Sequence, residues 1–97
     1  MSKWGWAGVT HSVGTAGTVS TSILVPNADR TYALFINDSN ASVYLACGGA
    51  AALNTGIRLN ADGGNYEMAR GAGNVYGGSL TAISVAGTAK ILITEAT

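Results

Sequence analysis

The run from Arg30 to Leu59 narrows the choice of fold more than any other part of the chain. Tyr32, Leu34 and Ile36 share one face of an extended segment, because side chains alternate along a strand. Asn37 to Ser42 contains only Asn, Asp, Ser and Ala, a composition suited to a tight connection between strands. Val43, Leu45 and Cys47 then resume the apolar alternation, and Gly48-Gly49 closes it. A strand, a polar turn, a second strand and a glycine exit follow one another with no room for a helix.

The same punctuation runs through the rest of the sequence. Strands are expected near 7–13, 18–25, 30–37, 42–47, 56–60, 64–69, 74–77, 80–86 and 88–95, with glycines between most of them. Short strands with frequent turn signals predict an antiparallel sandwich or barrel. Apolar residues at helical spacing are not sustained; Ala50-Ala51-Ala52-Leu53 suits a single turn at most. Pro26 belongs at a strand end, since it cannot donate to a ladder. In the last strand Ala89, Ile91 and Ile93 oppose Lys90, Leu92 and Thr94. Val19, Thr21, Ile23 and Val25 form a similar stripe, and both stripes are expected to meet Leu34, Ile36, Val43 and Leu45 in one core.

The chain has 97 residues, enough for one domain. About half are Ala, Gly, Ser or Thr, and aromatic residues make up 7%, so the core must be thin. Such a domain gains stability from neighbours. Charged residues are 10% of the chain and balance to a net charge of zero. That argues against nucleic acid, which needs a basic patch, and favours association over free solubility. No run approaches the ~20 apolar residues that span a bilayer, and no secretory signal is visible. The protein is expected to be made in a cytoplasm and to bind no membrane.

Reactive chemistry is sparse. Cys47 and His11 are single, so neither a cysteine-based metal site nor a triad is legible in the pattern. Cys47, in an apolar strand, reads as a buried, inert thiol. Asp29, Asp38 and Asp62 read as turn residues. Asp62-Gly63-Gly64-Asn65 lacks the ligand spacing of a calcium loop, and Gly71-Ala-Gly73 lacks the helix a dinucleotide motif needs. Asn37-Asp-Ser39 and Asn40-Ala-Ser42 match a glycosylation sequon but read as turns. No catalytic, cofactor or metal residue is assigned, and no enzyme is expected.

The N-terminal segment holds both tryptophans, Trp4 and Trp6, interrupted by Gly5. Residues 1–16 are expected as an arm and residues 17–97 as a single sandwich domain. Tryptophan buries a large area at interfaces, so Trp4 and Trp6 are candidates for docking on a partner; capping their own subunit is the alternative. Arg30, Arg58 and Arg70 lie at strand ends or turns. They are candidates for bidentate pairing with a neighbouring subunit's carboxylates, with Glu67 and Glu95 as the natural acceptors; solvated or locally paired arginines are the alternative.

The chain also resembles a known family. Arg30, Tyr32, Leu34, Ile36, Asn37 and Ser39, then Tyr44, Leu45 and Gly48, then Gly56, Ile57 and Leu59 are similar to a recurrent pattern of small virion proteins of tailed bacteriophages and prophages. Gly63-Gly64-Asn65-Tyr66-Glu67, Val75-Tyr76-Gly77-Gly78 with Ala82-Ile83, and Lys90 to Glu95 continue it. The match runs over roughly residues 18–95 and leaves the first sixteen outside. The resemblance implies an all-β structural protein, a small antiparallel β-sandwich or jelly-roll-like barrel with an N-terminal arm. It implies a capsid decoration or cement protein on the virion surface, binding the major capsid protein or another virion protein, and a homotrimer. A tail, adaptor or fibre-base component is the alternative. A carbohydrate-binding module displaying Tyr44, Tyr66 and Tyr76 is a third reading.

Overall fold

The structure, a computed structural model, describes residues 5–97. Eight strands run β1 Val9–Ala16, β2 Thr21–Leu24, β3 Tyr32–Asn37, β4 Val43–Cys47, β5 Ile57–Leu59, β6 Asn65–Ala69, β7 Leu80–Ser84 and β8 Ala89–Ala96. One 3₁₀ turn, Arg70–Ala72, is the sole helical element among them. The strand expected near 74–77 is irregular backbone instead.

Two four-stranded sheets form, ordered β1-β8-β3-β6 (sheet A) and β2-β7-β4-β5 (sheet B). Every pairing is antiparallel. The first strand pairs with the eighth, the second with the seventh, the third with the sixth and the fourth with the fifth. The chain is thus one long hairpin, bent at β4–β5 and wound into two layers, which is the winding of an eight-stranded jelly roll. The all-β antiparallel sandwich expected from the glycine punctuation is the observed fold.

Phe35, Val43, Leu45, Leu59, Met68, Leu80, Ile91 and Ile93 fill the space between the sheets. The β8 stripe points as expected, with Ala89, Ile91 and Ile93 buried. Two other stripes require correction. In β3 the inward residues are Ala33, Phe35 and Asn37, while Tyr32, Leu34 and Ile36 face outward. In β2 a register shift between Ser22 and Leu24 turns Leu24 inward. Val19 and Val25 are exposed, and only Ile23 of that stripe packs against the core. A bulge breaks the two-residue period, so alternation carried across it selects the wrong face.

Of the arm expected over residues 1–16, residues 1–4 lie outside the described residues, and the rest is arranged differently from that expectation. Residues 9–16 pair along their whole length with β8, and Ala16 is fully buried. They are an edge strand of sheet A. Backbone bonds from Ala7 and Gly8 to Thr97 extend the pairing.

Two buried polar groups brace the ends of β3. Asn37 donates its amide to the carbonyls of Ala41, Leu59 and Asn60 and accepts from the Ser39 hydroxyl. It fixes the β3–β4 turn against the turn that follows β5. Arg30, just before β3, donates Nε to Glu95 at 2.7 Å. Its other nitrogens reach the carbonyls of Tyr76, Gly78 and Val25. Val25 and Gly78 flank strands of sheet B and Glu95 belongs to β8, so this guanidinium ties one sheet to the other. No buried side-chain nitrogen or oxygen among the described residues lacks a partner.

Candidate functional site: the outer face of sheet A

The two sheets treat their outer faces differently. On sheet B, Tyr44 and Ile83 are buried beneath the loop between β4 and β5, with Ala51 packed against them. Tyr44 donates its hydroxyl to Asn54, and the Ala51 amide donates to Ser20. The Ala-rich run that sequence allows as one turn is therefore a flap. Gly56 lets it return: its φ is +78°, and a Cβ there would overlap the Leu45 carbonyl oxygen.

Sheet A has no such flap among the described residues. Residues directly opposite on antiparallel strands share a face. One outward row therefore runs Val13, Leu92, Ile36, Asn65, and the next runs His11, Thr94, Leu34, Glu67. Val13 is 59% exposed and Leu92 38%. Between these rows lies a shallow, mainly apolar hollow of about 330 Å³, walled by Val13, Ile36, Leu92, His11 and Thr94. His11 and Thr94 meet at 2.9 Å through Nδ1 and Oγ1.

At one end of this face Trp6 lies over Tyr32, ring centroids 4.6 Å apart and planes tilted by 39°. Tyr32 donates its hydroxyl to Glu67 at 2.6 Å. That bond, with some desolvation and the charge of Glu67, raises the Tyr32 pKa above the ordinary 10.0. Trp6, Tyr32 and Arg70 line a small hollow of about 200 Å³. Thr31 and Arg70 also border a wider, open one of about 540 Å³ that contains Asp29 and Val75.

Of the residues singled out from sequence, Trp6 and Arg70 come together here. Trp4 lies outside the described residues. Arg58 is exposed on β5, opposite Tyr44 on sheet B, away from the other two. Arg30 requires a correction as a partner-binding residue: its side chain is wholly inaccessible and is spent on Glu95 and three carbonyls of its own chain. Glu67 likewise serves Tyr32. Cys47 is exposed, not buried; partial burial still pushes its thiol pKa up, against a lowering influence from Arg30.

Leu92 shares its face with Lys90 in the sequence pattern, but Val13, Leu34 and Ile36 were not recognisable as surface residues. The signal lay in β3 itself, where Leu34 and Ile36 alternate with Phe35, so apolar bulk falls on both faces of one strand. The three tyrosines of the carbohydrate reading do not share a face. Tyr44 lies under the flap, Tyr66 packs against the core, and Tyr76 sits in the connection before β7. Among the described residues no group of three His, Cys, Asp or Glu side chains could hold a metal ion. No helix among the described residues is long and apolar enough to cross a membrane. No protein-family model, curated protein or solved structure matches this chain.

Proposed function

We propose that this chain is a structural subunit of a tailed-bacteriophage virion, a decoration or cement protein that attaches to the assembled capsid shell through the outer face of sheet A. One observation carries the reading. Among the described residues no loop covers the Val13–Leu92–Ile36 row of sheet A, while the chain covers the equivalent face of sheet B with its own loop. An apolar patch left bare on an otherwise well-packed small domain marks an interaction surface.

Three further points support it. The resemblance over residues 18–95 implies virion proteins. The strand winding is one used by viral capsid domains, an analogy of fold alone. The sparse, balanced charge suits a subunit held in an assembly. In this reading the partner is the major capsid protein or another virion protein, the subunit is made in the host cytoplasm, and its final place is the capsid surface. The homotrimer implied by the resemblance belongs to the same reading. Trp6 and Arg70 border the contact, Trp6 by stacking its exposed ring and Arg70 at the rim.

The test is the copy number in purified virions, measured by quantitative mass spectrometry against the major capsid protein. Abundance within a small factor of the capsid protein supports shell decoration. A copy number far below it places the chain at the tail or portal vertex, the alternative. Absence from virions overturns both.

A further inference from the structure

The four sheet edges are unequal. β5 has three residues and β2 has four with a register shift. β6 carries Glu67 and runs into Arg70. β1 has eight residues with no charged side chain, no proline and no bulge. Edges that must stay unpaired are normally blunted by those devices. β1 lacks all of them.

Its free hydrogen-bonding groups can be assigned. Thr97 N–H donates to the Gly8 carbonyl at 2.9 Å, and Gly8 N–H to that of Thr97 at 3.3 Å. Gly8 and Thr97 are therefore a hydrogen-bonded pair, and the antiparallel pattern alternates from there. Thr10, Ser12, Gly14 and Ala16 turn their N–H and C=O groups towards β8. Val9, His11, Val13 and Thr15 turn theirs outward, and no described residue meets them. The side chains of Val9, His11 and Val13 stand exposed on the outer face.

We propose that β1 pairs with β1 of a second copy, antiparallel about a two-fold axis at Val13, joining two A sheets into one of eight strands. In that register Val13 faces Val13, His11 faces Thr15 and Thr10 faces Ala16, so the pairing spans the strand. Each outward N–H meets an outward carbonyl. The row Ile36–Leu92–Val13 continues into its own image, giving six apolar side chains in line across the axis. A register shifted by one pair sets Val13 against His11 and breaks that line. An unrelated strand could satisfy the backbone, but only a second β1 also continues the row. With no Asp, Glu, Lys or Arg on the strand, no fixed charge repels the image. The contact is isologous; it joins two copies whatever other symmetry they have, and it does not depend on the capsid assignment.

The test uses the full chain with Cys47→Ser as background. Under mild oxidation Val13→Cys should form a disulfide-linked dimer, since opposed hydrogen-bonded residues lie about 5.5 Å apart between Cα atoms, within disulfide reach. His11→Cys and Thr15→Cys should each stay unlinked alone and link when mixed. Val13→Lys, which sets two like charges on the axis, should halve the limiting mass in sedimentation equilibrium while the circular dichroism melt stays within a few degrees of the parent. If Val13→Cys does not cross-link and Val13→Lys leaves the mass unchanged, the proposal fails. Linking of His11→Cys alone also overturns it, because it places the axis elsewhere. Should Val13→Lys not fold, the three cysteine variants decide by themselves.

Discussion

The outer faces of the two sheets offer a controlled contrast within one small protein. Each carries bulky apolar side chains: Tyr44 and Ile83 on sheet B, Val13, Leu34, Ile36 and Leu92 on sheet A. The first pair is shielded by residues of the same chain, whereas among the described residues no loop covers the second set. Burial within the subunit and burial against a neighbour obey the same physics, about 25 cal/mol per Å² of apolar surface. What differs is who supplies the cover. The cover on sheet B stabilises the monomer; in the proposed reading, sheet A keeps its apolar surface for association.

The change that would break the contrast altogether lies at neither face. Arg30→Met removes the cation that ties sheet B's loops to β8, leaves Glu95 with a 3.4 Å bond from Asn27 alone among the described residues, and withdraws the donors of three carbonyls. Removing one member of a buried ion pair costs about 3–5 kcal/mol, a large share of a small domain's stability. Urea unfolding should show that loss, and the faces could then no longer be compared in a folded subunit.

Tyr44→Ala tests the covered face. Truncating a buried aromatic ring costs about 3 kcal/mol, and the flap loses both its packing and its bond to Tyr44. The melting temperature should fall by more than about 10 °C at the slope expected for a domain of this size. A shift of only a few degrees would show that the flap rests loosely on the sheet.

Leu92→Ala is the matching change on the bare face. Its side chain is already partly in water, so the isolated subunit should lose about 1 kcal/mol or less. Capsid occupancy should nevertheless drop clearly. Equal losses of stability at Tyr44 and Leu92 would erase the distinction between the faces. Trp6→Ala extends the test to the edge of the face: its stack on Tyr32 is worth about 0.5–1.5 kcal/mol, with the larger effect again expected in occupancy.

The smallest effect concerns the Tyr32–Glu67 bond. It raises the Tyr32 pKa, so its contribution is complete below the unfolded tyrosine value and disappears as pH rises through the higher folded one. Ultraviolet titration should show one tyrosine ionising late, and Glu67→Gln should bring it back towards the ordinary value. Ordinary titration of Tyr32 in the parent would mean that the bond does not organise this end of the face.

Much of the architecture was legible in the residues. Glycine and Asn/Asp/Ser clusters mark most of the strand ends, and the alternation in β8 selects the correct inner face because Lys90 leaves no choice. β3 was not legible in the same way. Leu34 and Ile36 compete with Ala33 and Phe35, and an apolar strand on both faces gives alternation nothing to decide with. Arg30 could not be placed because three of its acceptors are backbone carbonyls, and its carboxylate partner lies 65 residues away. Of the candidate site, Trp6 was marked as an aromatic that docks on a partner or caps its own subunit; Tyr32 comes near it because β8 pairs with both β1 and β3, and Arg70 because β6, which ends one residue before it, pairs with β3.

The position of β8 has a temporal consequence. It sits between β1 and β3, yet it follows both in the chain, so sheet A has no centre until residue 96 has been synthesised. Its pairings span most of the sequence, a topology in which loop closure must precede reward and folding is slow. Until then β1 and β3 both present open edges, and crowded nascent chains face the same strand-to-strand attraction that is proposed for β1 in the finished protein. Expression at low temperature and low rate should therefore raise the soluble yield more than any surface substitution.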